Sequence, residues 1–424
     1  MTLRLVVIGA GMASGRALEH LFEMGGDYEV TLFGAEPRGN YNRIMLSPVL
    51  SGESTFEEIV THTADWYAQH GVTTRFGERV EEIDRQNKVV KAAGGDVVYD
   101  KLLIATGSDP FIIPVPGKDL AGVMSYRDLD DVELMKSYAA RPGAKAVVIG
   151  GGLLGLEAAA GLRLRGMEVT VIHLAGHLME RQLDPAAGLL LKQELQSRGI
   201  TVLTEANTAE LRGTDHVEAV LLKSGQMIET DMVCMAAGIR PASGLGRTIG
   251  LECNRGIIVD DQMRTSDPDI LAVGECVEHQ GQVFGLVAPL YDQAKVVAQT
   301  LLGAEAAFVA PQISTKLKVT GVDLFSAGDF AEGADREEIV FTDPTQHVYK
   351  RLILENEQIV GVVMYGDTVD GPWFLDKIAS GEPVGAARDT LIFGPNFVET
   401  EDTAPPSTTP VTTAVYAERS SVAA

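Results

Sequence analysis

The sequence predicts an α/β protein built on parallel sheets, and three observations carry that expectation. A β-branched apolar run, a glycine-rich turn, a stretch of helical periodicity and a second short apolar run follow one another in 3–36, and again in 144–176. Each glycine turn stands where a strand passes into a helix, which is where a parallel sheet needs its crossover. Beyond 312 the pattern changes to alternating strands with one short helix, the mark of a smaller α+β region.

In the first copy the strand Leu5–Ile8 feeds Gly9, Gly11 and Ser14; in the second, Ala146–Ile149 feeds Gly150, Gly152 and Gly155. The first glycine of such a turn permits the tight bend, and the second lets the backbone approach a pyrophosphate. The third brings the helix against the strand, leaving the free N–H groups of the helix start facing the phosphate. Ser14 replaces the third glycine in the first copy and is small enough to keep the helix close. An acid closing the second strand accepts ribose hydroxyls, and Glu36 stands there. The second copy ends instead in His173-Leu174, which neither rejects a 2′-phosphate nor strongly rewards a free hydroxyl. Arg163 and Arg181 are within chain reach of a phosphate, so NADH against NADPH stays open. The fold class is α/β, with two Rossmann-like dinucleotide-binding domains plus a C-terminal α+β domain.

The phrases LLIATG (Leu102–Gly107) and VCMAAGIRP (Val233–Pro241) each end a strand in a small-residue turn, and each follows one copy. LAVGE (Leu271–Glu275) is a further strand, and Ala288-Pro289 is expected to open a helix over Leu290–Leu302. The positive end of that helix favours an anion. In 312–394, TKLKVTGVDLF (315–325), EEIVFTD, VYKRLILE and IVGVVMYG read as strands and 373–379 as a short helix, with Trp373-Phe374 read as core.

A formal charge of −24 argues against nucleic acid and against an anionic membrane surface as partners. Cys234, Cys253 and Cys276 are too few and too widely spaced for a disulfide scaffold, a CxxC pair, a thiolate zinc site or a four-cysteine iron–sulfur cluster. Cys276 reads as a packed thiol. The dispersed histidines suggest no metal site, and redox chemistry must come from a bound cofactor. The apolar stretches at 1–13 and 146–162 are too short or too rich in glycine for a signal peptide or a membrane span, so a cytoplasmic location without membrane is expected.

The phrases GAGMASGRALEHL, FGAEPRGNYNRIMLSPVLSGE, ATGSDPFIIPVPG, GGGLLGLEAAAGLRLRGMEVTVIHL, LMERQLD, GIRP and AVGECVEHQGQVFGLVAPLYDQAK resemble the pyridine nucleotide–disulfide oxidoreductase superfamily. They look most like the flavin module of NAD(P)H nitrite reductase large subunits and their free-standing electron-transfer relatives, and the resemblance reaches to about 395. It implies that Gly9, Gly11, Ser14 and Glu36 hold the pyrophosphate and ribose of FAD, with Arg43 on the flavin side and Val80 at the adenine. Thr106, Gly107, Gly274 and Glu275 would hold the middle of FAD, and the helix at Pro289 would favour its reduced, anionic ring. Gly150, Gly152, Gly155, His173 and Gly238 would line the NAD(P)H site, with Glu157 near the nicotinamide.

The implied domains are FAD-binding in 1–120 and 245–311, NAD(P)-binding in 121–244, α+β in 312–396, and a disordered Pro/Thr/Ser-rich tail in 397–424. The absence of a CxxC sets the chain apart from disulfide reductases. Without the cysteines of an iron–sulfur region and a sirohaem domain, it is not expected to reduce nitrite alone. The implied function is an FAD-dependent NAD(P)H oxidoreductase with no catalytic side chain, passing electrons to a separate metalloprotein of nitrite or nitrate assimilation. A rubredoxin or ferredoxin reductase is the second reading, and a non-turnover NAD(P)H sensor is a third of another class.

Overall fold

The computed structural model describes residues 2–310, 314–319 and 321–398. The chain divides into two compact units, Met1–Ser326 and Ala327–Ala424. The first opens with β1 (Leu3–Ile8), α1 (Met12–Glu23), β2 (Tyr28–Gly34), α2 (Leu46–Ser51), β3 (Thr73–Phe76) and β4 (Lys101–Ile104). Next come β5 (Val123–Ser125), α3 (Leu129–Ala139), β6 (Lys145–Ile149), α4 (Leu153–Leu164), β7 (Glu168–Ile172), β8 (Ile200–Leu203) and β9 (Met232–Met235). After these, β10 (Ile270–Ala272) and α5 (Val287–Leu301) complete the framework.

Two parallel five-stranded sheets result, ordered β10-β4-β1-β2-β3 and β8-β7-β6-β9-β5. Strands buried on both faces must be apolar throughout, and Leu5, Val6, Val7 and Ile8 are buried like Ala146, Val147, Val148 and Ile149. β1 lies between β2 and β4, and β6 lies between β7 and β9. The connections from a central strand diverge there, opening a crevice at the carboxyl ends of the strands, where an open α/β sheet receives its ligand. Both glycine turns occupy that place.

The helix expected from Leu290 begins at Val287, which puts Pro289 in its third position. This correction costs no hydrogen bond, because the first N–H groups of a helix have no intrahelical partner for proline to remove. Cys276 is fully buried, as read.

In the second unit β11 (Glu337–Asp343), β12 (Val348–Glu355) and β13 (Gln358–Tyr365) pair antiparallel, and α6 is Gly371–Ser380. Phe374 is fully buried and Trp373 half-buried. The strand phrase at 315–325 is described only in part, and the tail expected from 397 lies outside the described residues beyond Val398. Among the described residues no helix is long and apolar enough to cross a membrane.

Candidate dinucleotide sites

The two glycine turns are built alike. Gly9 (φ +114°) and Gly150 (φ +133°) take a conformation that favours glycine, and a Cβ on either would meet a carbonyl of the neighbouring strand's end. For Gly9 that is Ala105 O at 2.2 Å, and for Gly150 it is Ala236 O at 2.1 Å. The small-residue turns after β4 and β9 are therefore pressed against the glycine turns after β1 and β6. At the third position Gly155 would collide with Gly150 O at 2.1 Å. In the first copy Ser14 Oγ donates instead to Gly9 O at 2.5 Å and Gly11 O at 3.0 Å. Its hydroxyl tightens the turn, which is more than being small.

The second glycines differ in kind. Gly11 (φ −98°) and Gly152 (φ −85°) are extended helix N-caps, and a Cβ on either meets nothing within 4 Å. Nothing in the protein requires glycine at these two places. The absent side chain leaves bare backbone at the start of a 12-residue helix whose N-cap makes no side-chain hydrogen bond. A cradle that a Cβ would fill, lined by unpaired N–H groups, fits the phosphates of a dinucleotide.

Around the first turn a chain of charges joins distant segments. Glu36 accepts from Tyr41 Oη at 2.8 Å and from Arg43, with Arg38 at 3.5 Å. Arg43 Nη1 also donates to Arg127 O at 2.9 Å, and Arg127 Nη2 donates to Glu275 Oε2 at 2.6 Å. Ser108 Oγ donates to the same oxygen at 2.8 Å. A Cβ on Gly107 would lie 3.4 Å from the Arg127 guanidinium. Arg127 links these groups and escaped the sequence reading. Its one local signal is that it precedes Asp128, whose side chain caps α3 by accepting from Asp131 N.

Among the remaining expected FAD-side residues, Gly11, Thr106 and Gly274 are engaged, the first and last by Asn40 and Gln293, which the sequence reading did not single out. Asn40 Nδ2 donates to Gly11 O at 2.6 Å. Thr106 Oγ1 donates to Ala242 O at 2.8 Å, and Gly274 N donates to the buried Gln293 Oε1 at 3.0 Å. The Nε2 of Gln293 is a buried donor with no acceptor among the described residues, a vacancy that a bound group's oxygen would satisfy. Val80 is packed in the core of this sheet, and Pro289 lies on the first turn of α5.

At the second turn His173 does not face outward as a ribose ligand would. Its Nδ1 accepts from Gly151 N at 3.0 Å, and its Nε2 lies 3.0 Å from Glu180 Oε2. Arg163 is turned away, donating to Arg198 O at 3.3 Å and Met167 O at 3.4 Å near the far end of α4. Gly238 (φ +119°) is open to an approaching group, and its carbonyl accepts from Phe111 N at 2.8 Å.

Glu157, on α4, accepts from Ser47 Oγ at 2.7 Å, and Ser47 accepts from Tyr126 Oη at 3.0 Å. Burial raises the Glu157 carboxyl above its ordinary range, partly offset by the Ser47 hydrogen bond. Arg165, just past α4, donates to Val49 O at 3.3 Å and to Leu50 O. α2 is thus held by α4 at both ends.

With this geometry in place, the chain was compared with known proteins. Residues 3–298 match the pattern of the pyridine nucleotide-disulphide oxidoreductases. The chain belongs to that family. Residues 314–382 of this oxidoreductase match the rubredoxin NAD+ reductase C-terminal domain. It is 48% identical over 395 residues to an NAD(P)H nitrite reductase of Bacillus subtilis, covering 92% of this chain and 49% of the relative. It is 41% identical over 392 residues to an assimilatory nitrate reductase electron transfer subunit of the same organism, covering 92% and 51%. The chain thus spans about half the length of the curated relatives it matches. Among solved structures, the NADH:rubredoxin oxidoreductase of Clostridium acetobutylicum superposes with TM-score 0.79 at 27% identity, covering 93% of this chain and all of that one.

As a flavoprotein oxidoreductase of this family, the chain has FAD and NAD(P)H as cofactors. It departs from the disulphide part of the family's name. Cys234 and Cys276 are fully buried and Cys253 half-buried, and burial raises all three thiols, so none is poised as a redox thiolate.

Proposed function

We propose that this chain takes hydride from NAD(P)H into FAD and passes the electrons to a separate redox metalloprotein of nitrite or nitrate assimilation. The observation that carries the reading is the duplicated glycine turn, locked at Gly9 and Gly150 and left bare at Gly11 and Gly152, without a redox-active thiol beside it. FAD, when bound, supplies the conversion of a two-electron donor into one-electron steps. The protein's part is to bind, orient and exclude water.

Gly9, Gly11 and Ser14 shape the pyrophosphate turn, and Glu36 takes the ribose. Arg43, Thr106, Gly107, Gly274 and Glu275 line the rest of the FAD site, Arg127 joining Arg43, Gly107 and Glu275, with Val80 at the adenine and Pro289 at the flavin end. Gly150, Gly152, Gly155 and Gly238 line the NAD(P)H site, and Glu157 stands at the nicotinamide. The match of 314–382 and the Clostridium superposition favour a rubredoxin-type acceptor as the second reading.

Anaerobic stopped-flow of the flavin-loaded protein tests both. Rapid bleaching of flavin absorbance by a reduced pyridine nucleotide is expected, followed by fast reoxidation by a metalloprotein. Reoxidation by an added rubredoxin, but not by a nitrite or nitrate reductase component, selects the second reading. Flavin that neither nucleotide reduces defeats both.

A further inference from the structure

The second turn lacks an acid at the end of its strand, yet the structure brings one there from elsewhere. β7 ends at Ile172, and the segment after it folds back onto the glycine turn. Met179, fully buried at φ +52°, donates its N–H to Gly151 O at 2.9 Å. Gly151 N–H in turn donates to His173 Nδ1 at 3.0 Å, so both polar backbone groups of Gly151 are occupied. With Nδ1 accepting, a neutral His173 carries its proton on Nε2, and that atom faces Glu180 Oε2 at 3.0 Å. Met179 fixes the backbone just before Glu180, and the buried His173 Nε2, which has no hydrogen-bond partner among the described residues, lies against the carboxylate. The Glu180 side chain is 41% exposed, and among the described residues its other oxygen has no protein hydrogen bond.

We infer that Glu180 is the residue that selects NADH over NADPH. Its carboxylate accepts the 2′-hydroxyl of the adenosine ribose and repels a 2′-phosphate. It does at the second turn what an acid at the strand end does in a dinucleotide fingerprint, and His173 is its positioning residue. Of the cations near this position in the chain, Arg163 is turned away. His177 Nε2 is engaged with Leu183 O at 3.0 Å. Arg181 is exposed beside Glu180 and would act in the opposite sense. This inference rests on reading the second turn as the NAD(P)H site.

The test is calorimetric titration of the FAD-loaded protein with ADP-ribose and with its 2′-phosphate, two ligands that carry no hydride. The unmodified protein should bind ADP-ribose at least about tenfold tighter, the scale of one like-charge contact at a partly exposed site. Glu180→Gln, isosteric and exposed, should remove most of that ratio. It should do so chiefly by tightening the 2′-phosphate, a readout that a merely structural role would not move. Equal binding of the two ligands, a ratio unchanged in Glu180→Gln, or a preference for the 2′-phosphate lost in Arg181→Ala would each overturn the inference. If neither ligand binds, the assignment of the second turn falls with it.

Discussion

Gly9 and Gly11 stand two residues apart and answer to different demands. Gly9→Ala places a methyl 2.2 Å from the Ala105 carbonyl at a left-handed φ, so a loss of about 3 kcal/mol or more in unfolding free energy is expected. Gly11→Ala meets no atom within 4 Å and costs about 0.5–1 kcal/mol as a poorer N-cap. It should fold and purify without flavin, which the ratio of flavin to protein absorbance reads directly. Glu157 supplies a prediction in pH. Its carboxyl is raised above the ordinary value of 4.5 because burial penalises the charge. Below 4.5 the folded and unfolded states are both neutral and nothing is lost. As pH rises, the unfolded chain ionises first and the native state loses stability, fully so above the folded pKa. Glu157→Gln should therefore melt higher than the unmodified protein at pH 8, with the difference vanishing by about pH 4. A difference independent of pH would mean that Glu157 is not buried in this way.

At the scale of elements, the two β–α–β copies were legible because each strand is a continuous apolar run ended by a glycine turn. β11 and β12 coincide with their sequence phrases for a related reason: both runs are bounded by turn residues. α2 was not legible. Leu46–Ser51 is six residues containing Pro48, too short for periodicity, and a helix of that length is held by its neighbours. Gly161 leaves room for Leu50, whose side chain lies 2.9 Å from where a Cβ would sit. Arg165→Ala removes the charged donor from the Leu50 and Val49 carbonyls. Amide exchange in α2, followed by mass spectrometry, should then speed up by about tenfold, the equivalent of one lost charge-assisted hydrogen bond. Exchange unchanged in α2 would show that Arg165 does not hold it.

At the scale of the molecule, β10 returns from Ile270–Ala272 to pair with β4 at Lys101–Ile104, and this brings Glu275 to Arg127 and Ser108. The candidate FAD site is assembled from segments near residues 9, 36, 43, 107, 127 and 275. A ligand that bridges such segments binds the native state and not the unfolded chain, so its removal must lower stability. Stripping the flavin should lower the melting temperature by about 3–4 °C, given about 2.7 kcal/mol of linkage at a hundredfold excess over Kd. Full recovery is expected on adding FAD back. An apoprotein that melts at the same temperature would place the flavin outside this assembly.

The sequence by itself determined the two parallel sheets, the glycine turns and the acid Glu36. Each of these answers to a local demand: an apolar run for two-faced burial, a missing side chain where backbones meet, a carboxylate at the end of a strand. Only the tertiary structure decided that Arg127 joins the FAD-side groups, that Ser47 and Tyr126 hold Glu157, that Ser14 is a hydrogen-bond donor, and that Glu180 reaches His173. These depend on contacts between residues far apart in the chain, or on how a loop folds back on a turn. Such contacts leave no period or spacing in the sequence, because the geometry that selects them exists only once the sheets have formed.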